Sequence, residues 1–401
     1  MEAHGAKKKK NSDDLRTIGD SSRTISIPAD VIPEIFKGLP VKSLARVVCV
    51  SKECASLIRN RDFVKTYLMK SSDSSQSLIF TFEGKCSGKH FFFSSLQPQD
   101  RGESVSSSLA IYHMKCHFRP YKTFAPSVNG LICYGPPWKL MVYNPNTRRS
   151  ITFPKIESMR IDIYHFLGYD PIGGDYKVLF MTKGDPVGTR YGLAQELQVL
   201  TLGKDKSWRM IEDFPLHFLD FHESPDICIN GVLYYRALLN EDGTSEAFMS
   251  FDVRSEKFDL INAPELLEYH LSFPKLTCYE GKLAFVFSKL HIYIYSIELW
   301  VLEDAPTHEW SMQSYSFPII NGESCYSFNP FFVVGEGELV LAPAFVERGP
   351  FDVLYYDTKK NRVRRVLIEG ITGREDPLWN KDPYHRIISV IPGHANNLMF
   401  L

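Results

Sequence analysis

Short apolar strands ending in a turn residue recur along this chain at nearly even intervals, and this recurrence restricts the fold more than any other feature. Aligned on Asn144, Leu202, Asp252, Glu303 and Asp357, the strand ends lie 58, 50, 51 and 54 residues apart. A Gly-led strand precedes three of them: Asn129-Gly130-Leu131-Ile132-Cys133, Asn230-Gly231-Val232-Leu233-Tyr234 and Glu280-Gly281-Lys282-Leu283-Ala284-Phe285. Gly335-Glu336-Gly337-Glu338-Leu339-Val340 is a fourth copy. Asn-Gly marks a tight hairpin because both residues tolerate positive φ. Asn or Asp at a strand end bonds the backbone two residues on and fixes the turn. Two copies run on to a tryptophan, Leu197 to Trp208 and Leu299 to Trp310. A four-stranded unit cannot bury both of its faces alone, so such units stack around an axis. The expectation is a mainly β protein, a kelch-like β-propeller of about six to seven blades. A β-sandwich is the alternative, but it offers no reason for a repeat of this length. Residues 78–128 and 371–401 carry weak repeat signals and leave the blade number open.

A second texture precedes the repeats. Ile32, Ile35, Phe36 and Leu39 fall at i, i+3, i+4 and i+7, the stripe of an amphipathic helix. Asp30 is its expected N-cap, Pro33 suits its first turn, and Gly38 with Pro40 ends it. Leu44, Val47 and Val48 make a second stripe. Cys54, Leu57 and Ile58 make a third behind Ser51, and Phe63, Tyr67 and Leu68 a fourth behind Asp62. So much apolar stripe in so short a segment exceeds what one small core absorbs, so a partner surface is its natural sink. The chain therefore divides into a disordered polar leader (1–24), a module of three to four helices (25–69), a Ser-rich joint (70–77) and a β domain (78–401).

The helical segment closely resembles the F-box. Ile27-Pro28 opens the pattern, Leu39-Pro40-Val41-Lys42-Ser43-Leu44 continues it, and Cys49-Val50-Ser51-Lys52 closes it. The resemblance implies binding to the Skp-type adaptor of an SCF (Skp–cullin–F-box) ubiquitin ligase and, through it, to cullin. The residues expected to form the adaptor-binding surface and the F-box core are Pro28, Ile32, Ile35, Phe36, Leu39, Pro40, Leu44, Val47 and Val48. Two positions depart from the family: Cys54 stands where Trp is usual, and Gly38 where a basic residue is common. The β domain resembles the F-box-associated domain of plant F-box proteins. Ser127 to Ile132, Tyr143 to Arg148, Leu167 to Pro171 with Asp175 to Val178, Tyr279 to Leu283 and Ile297 to Leu302 carry that likeness. It implies recruitment of a target protein, and it transfers no substrate-binding residue.

Composition narrows the remaining classes. A formal net charge of −1 gives no basic field for nucleic acid or a membrane surface, and neither is an expected partner. The sequence holds no apolar run long enough to span a bilayer, and Met1 to Asp14 has no apolar signal core. The expected location is intracellular, in the nucleus, the cytoplasm or both. The Lys7 to Lys10 run reads as part of a solvated leader, with nuclear import the alternative. The eight cysteines contain no C-x-x-C pair and read as free thiols.

Catalytic and metal chemistry find little support, and neither a cofactor nor a metal is expected. His113-Met114-Lys115-Cys116-His117 is the best metal candidate, but on a strand Cys116 points away from the two histidines. His217 and His222 flank Phe218-Leu219-Asp220-Phe221, read as a packed aromatic turn rather than a binding loop. Glu212-Asp213 and Glu303-Asp304 read as solvated turn charges, and Asp252 and Asp357 as turn-fixing residues rather than catalytic carboxylates. Trp208 and Trp310 read as blade-packing side chains, and Trp138 as the one candidate for an exposed sugar-binding platform. Arg148-Arg149, Lys359-Lys360 and Arg362 with Arg364-Arg365 read as ordinary surface charge. The expected function is a non-enzymatic substrate receptor. A non-ligase interaction protein and a kelch-type enzyme are the rivals.

Overall fold

The computed structural model describes residues 27–74, 77–84, 89–96, 105–116, 127–158, 163–184, 191–220, 226–264, 275–291, 294–318, 328–334, 338–343, 345–347, 349–371, 384–391 and 397–399. The expected leader lies outside them. Four helices come first: α1 (Ile32–Lys37), α2 (Val41–Val47), α3 (Lys52–Arg59) and α4 (Arg61–Ser74). Ser51 caps α3 as expected, its hydroxyl accepting from the Cys54 N–H at 3.1 Å. Two expected caps are displaced. Val31 occupies the N-cap of α1 with no side-chain bond, so Asp30 does not cap it. At α4 the Asn60 side chain accepts from the N–H groups of Asp62 and Phe63, so Asn60 takes the place expected of Asp62. The expected joint is also shorter than read, because α4 continues through it to Ser74 and a strand begins at Ser77.

Among the described residues after α4, the regular elements are strands apart from one turn of 3-10 helix at Pro137–Lys139. Among the described residues most strands fall into six antiparallel meanders, numbered here in order. Besides these, Phe218–Asp220 bridges the second and third, Phe345–Glu347 pairs with Tyr384–Ile391, and the fifth and sixth join through a parallel pairing of Arg362–Glu369 with Val105–Cys116. The first holds Ile132–Tyr134, Met141–Asn144 and Arg149–Thr152. The second holds Ile163–Asp170, Asp175–Lys183, Tyr191–Thr201 and Arg209–Ile211. Asp226–Ile229, Val232–Leu238, Glu246–Asp252 and Phe258–Asn262 make the third. The fourth holds Lys275–Tyr279, Lys282–His291, Ile294–Asp304 and Glu309–Pro318. The fifth holds Phe328–Val334, Glu338–Pro343, Phe351–Asp357 and Arg362–Glu369. The sixth joins distant parts of the chain: Tyr384–Ile391 pairs with Ser77–Gly84, which leads on to His90–Leu96 and Val105–Cys116.

The hydrophobic core is a succession of seams between neighbouring meanders. Leu131, Val142, Val178 and Phe180 fill the seam from first to second, and Phe166, Met181, Tyr235 and Met249 that from second to third. Phe248, Ile261, Phe285 and Leu302 continue it from third to fourth, then Val286, Leu299, Leu339 and Leu341 from fourth to fifth. Phe80, Phe91, Val353 and Tyr355 fill the next seam, and Ile79, Phe92, Ile132 and Tyr134 return it to the first meander. The succession closes on itself, which makes the β domain the propeller that the repeat predicts.

The turn chemistry follows the sequence closely. Asn129 and Gly130, Asn230 and Gly231, and Glu280 and Gly281 all have positive φ. The fourth copy, Gly335 to Gly337, lies outside the described residues. Asn144, Asp252 and Asp357 accept from backbone N–H groups two or three residues on, as read. The aligned positions Leu202 and Glu303 do not: Leu202 is buried in the first seam, and Glu303 pairs with Lys282 and Ser311. Asp304 does the turn-fixing, accepting from the Thr307 N–H at 3.2 Å. With that correction, a residue of positive φ follows each fixing side chain by four positions: Arg148, Glu256, His308 and Asn361.

Trp208 and Trp310 occupy equivalent places, as expected. Each indole donates across a seam, Trp208 to the Pro154 carbonyl and Trp310 to the Asn262 carbonyl, both at 2.9 Å. Trp208 lies against Phe153 and Phe180, and Trp310 against Phe248 and Phe285.

Candidate functional site

The helical module leaves part of its apolar surface in solvent. Its core gathers Val41, Leu44, Ile58, Phe63 and Tyr67, with Phe36, Leu39, Val47 and Val48 half-buried around them. The Tyr67 hydroxyl donates to the Leu39 carbonyl at 2.9 Å and ties α4 to the end of α1. Of the nine residues singled out from sequence, only Leu44 is fully buried. Ile32, Phe36, Leu39, Val47 and Val48 are half-buried, and Pro28, Ile35 and Pro40 are exposed. Val41, Ile58, Phe63 and Tyr67 are core residues outside those nine; Ile58, Phe63 and Tyr67 belong to the third and fourth sequence stripes, and Val41, three residues before Leu44 on α2, extends the second.

One side of the module therefore keeps large apolar side chains in solvent. Ile27 is 52 % exposed, Val31 41 % and Ile35 44 %, all at or before α1. Burying such a patch against a partner yields roughly 25 cal/mol per Å² of apolar area. Helix α4 meets the propeller. Arg61, Lys65 and Leu68 fall at i, i+4 and i+7 of α4 and face the ring. Arg61 pairs with Asp175 at 2.6 Å and also donates to the Gly173 carbonyl, while Lys65 donates to the Ile172 carbonyl at 2.9 Å. Leu68, read with Phe63 and Tyr67 as one stripe, leaves them and packs into the seam between the first and second meanders.

The ring end beneath the module is a rim of hairpin turns. The Tyr176 hydroxyl donates to the Asn129 carbonyl at 3.4 Å, and the Asn230 amide to the Gly281 carbonyl at 3.4 Å. Hairpin alternation sends the Pro137–Lys139 turn and the Leu238 to Glu246 connection to the other end. Trp138 is 57 % exposed there.

The sequence candidates for catalysis are placed in structural surroundings. His113 bonds the Ser94 hydroxyl at 2.7 Å, and burial with the nearby Arg148 charge lowers its value to about 4. Cys116 has no described side chain, and His117 lies outside the described residues. Among those residues no group of three His, Cys, Asp or Glu is placed to hold a metal. His217 is fully buried between the Pro215 carbonyl and the Tyr235 hydroxyl, the packed arrangement read from sequence; Phe221 and His222 fall outside the described residues. Burial holds the Asp226 carboxyl well above the usual range, raises the Cys133 thiol and lowers His165 to about 4, in each case disfavouring the charged form. Glu212 and Asp213 are exposed. The basic groups at the fifth meander are paired: Arg364 with Glu338, Arg365 with Asp352 and Lys360 with Asp357. No helix among the described residues is long and apolar enough to cross a membrane.

Comparison with known proteins agrees with this division. Residues 25–66 match the F-box domain and residues 77–395 the F-box associated beta propeller domain. The F-box protein At2g21930 of Arabidopsis thaliana is 53 % identical over 414 residues, covering 100 % of both chains. The F-box protein DOR of Arabidopsis thaliana is 37 % identical, covering 86 % of this chain and 88 % of that one. Among solved structures, the α-L-arabinofuranosidase Arb93A of Fusarium graminearum covers 72 % of this chain and 80 % of its own at 10 % identity, with a TM-score of 0.38. At that distance the likeness carries no information about activity. The chain belongs to the plant F-box proteins in which an F-box is followed by an F-box associated beta propeller domain.

Proposed function

We propose that this protein is the substrate-recognition subunit of an SCF-type ubiquitin ligase. The observation that carries the reading is the set of apolar side chains, Ile27, Val31 and Ile35, left in solvent at the start of the F-box. A Skp-type adaptor covers them, with Pro28 and Pro40 at its edges, and cullin joins through the adaptor. The propeller end opposite the F-box, where Trp138 stands exposed, holds the target protein. The chain performs no bond-making step and needs no cofactor. It raises the effective concentration of the target at the ubiquitin-transfer machinery and fixes its direction of approach. Such a role places the protein inside the cell, in the nucleus, the cytoplasm or both.

The test is co-purification of the full chain with a Skp-type adaptor beside a Val31→Asp/Ile35→Asp variant. Both residues are exposed, so the variant keeps the thermal transition of the wild type. Adaptor recovered with wild type and lost with the variant supports the receptor reading. A folded wild type that recovers no adaptor removes it.

A further inference from the structure

The three residues Asn397, Leu398 and Met399 are shared between the two domains in an unusual way. Leu398 is 3 % exposed and completes the F-box core, packed with Val41, Leu44, Ile58, Phe63 and Tyr67. Its two neighbours belong to the propeller. The Asn397 amide donates to the Asn129 carbonyl and to the Tyr176 hydroxyl, both at 2.7 Å, and its side chain is almost wholly buried. The Asn144 amide in turn donates to the carbonyls of Asn397 at 3.1 Å and Met399 at 2.9 Å. The Met399 N–H closes the turn on Asn397 Oδ1 at 2.7 Å, and Met399 packs on the seam between the first and second meanders.

Among the described contacts, those of helix α4 with the propeller run along one stripe, Arg61, Lys65 and Leu68. Two of those contacts are polar and at the surface, where ion pairs contribute little. A body held along one line can roll about it. Leu398 enters the F-box core away from that line, and its flanking amides are anchored on the rim, so the second contact removes the remaining rotation. We propose that Asn397–Met399 are the positioning element of the protein, a brace that holds the F-box in one orientation on the propeller. Resting on the receptor reading, the brace also sets the direction from which a bound target faces the ligase. Loss of the brace frees the orientation while each domain keeps its own fold and the adaptor face stays available.

The experiment is a distance distribution by single-molecule energy transfer on the full chain, with labels at the exposed positions Lys42 on α2 and Glu241 on the third meander. Wild type gives one narrow distribution. Leu398→Ala broadens it to about twice the width or more, Asn397→Ala broadens it less, and Leu398→Met restores it. Thermal melts accompany each variant, because a role confined to stability lowers the transition without widening the distribution. If Leu398→Ala loses the fold of the F-box, Asn397→Ala, which leaves the leucine in place, decides the matter. Folded variants as narrow as wild type overturn the brace. Adaptor binding is read on the same samples and stays unchanged across the variants. Its absence from wild type would count against the receptor reading alone, since the distances are measured without adaptor.

Discussion

Trp310 and Asn262 are joined across the seam between the third and fourth meanders, the indole Nε1–H donating to the main-chain carbonyl at 2.9 Å. The bond and the ring contacts with Phe248 and Phe285 act at one point, so they separate by substitution. Trp310→Phe keeps much of the ring area and loses the bond, a cost of about 1 kcal/mol. Trp310→Ala loses both and costs about 3 kcal/mol. Urea unfolding followed by near-ultraviolet circular dichroism reads both values. Equal losses for the two variants would mean that the hydrogen bond, not the packing, holds this seam.

Gly168 lies where the second meander packs tightly against the third. A Cβ built there would lie 2.6 Å from Val253 Cγ2. Gly168→Ala is expected to cost about 1–3 kcal/mol as overpacking, and a second substitution, Val253→Ala, should recover part of it by opening the space. The double-mutant cycle gives the coupling directly. Additive losses would show that the alanine clashes elsewhere.

Glu256 binds the Lys177 ammonium at 2.6 Å and the Arg209 guanidinium at 2.8 Å across the same two meanders. Burial opposes its charge, but the hydrogen bonds from Arg209 and Lys177 prevail and hold its carboxyl below the ordinary glutamate value. A carboxylate lowered in the folded state stabilises the fold above its unfolded value and ceases to do so as pH falls through its folded value. Glu256→Gln should therefore cost about 1–2 kcal/mol at neutral pH, and the gap to wild type should close in acid. A gap that persists unchanged at low pH would assign the loss to shape rather than charge.

His165 also weakens the fold in acid, beginning nearer neutral pH than Glu256 does. Desolvation lowers its value to about 4, and a hydrogen bond with the Cys133 backbone offsets this only in part. The unfolded chain protonates this imidazole near 6.5, while the folded chain resists protonation until near 4. Stability is complete above 6.5 and declines as pH falls between those two values, by on the order of 3 kcal/mol over the whole interval. His113 contributes in the same direction. Urea midpoints measured from pH 7 to 5 should fall less steeply for His165→Gln than for wild type. Parallel profiles would exclude His165 as the acid-sensitive group.

The repeat was legible because each unit spends its turn residues on the same task. Asn144, Asp252 and Asp357 announce the hairpins through backbone bonds that only short polar side chains make. The repeat misplaced its fourth marker because the strand pairing slips between Leu302 and Asp304, where a register shift adds one residue. Glu303 and Asp304 are adjacent acids, and nothing in their order tells which one faces the turn. Helix α4 was misread for a different reason: it buries two faces, Phe63 and Tyr67 toward the F-box and Leu68 toward the propeller. A single periodic stripe merges them. Leu398 was invisible, since one leucine in a stretch without periodicity gives no sign of the distant core it completes. The F-box surface was legible as an excess of apolar residues, but the partition between its own core and the exposed face required the positions of the helices.

The pairing of Tyr384–Ile391 with Ser77–Gly84 has a consequence for how the protein is made. Two strands separated by most of the chain must meet before the ring is shut, so closure is a late and entropically demanding event in folding. Until it occurs, the Ser77–Gly84 strand presents an apolar edge with Leu78, Ile79, Phe80 and Phe82 alongside unpaired backbone groups, the kind of edge on which chains aggregate. A nascent chain is thus most vulnerable during the long interval between the synthesis of these two strands. Truncations that remove the later strand are expected to be insoluble rather than merely less active.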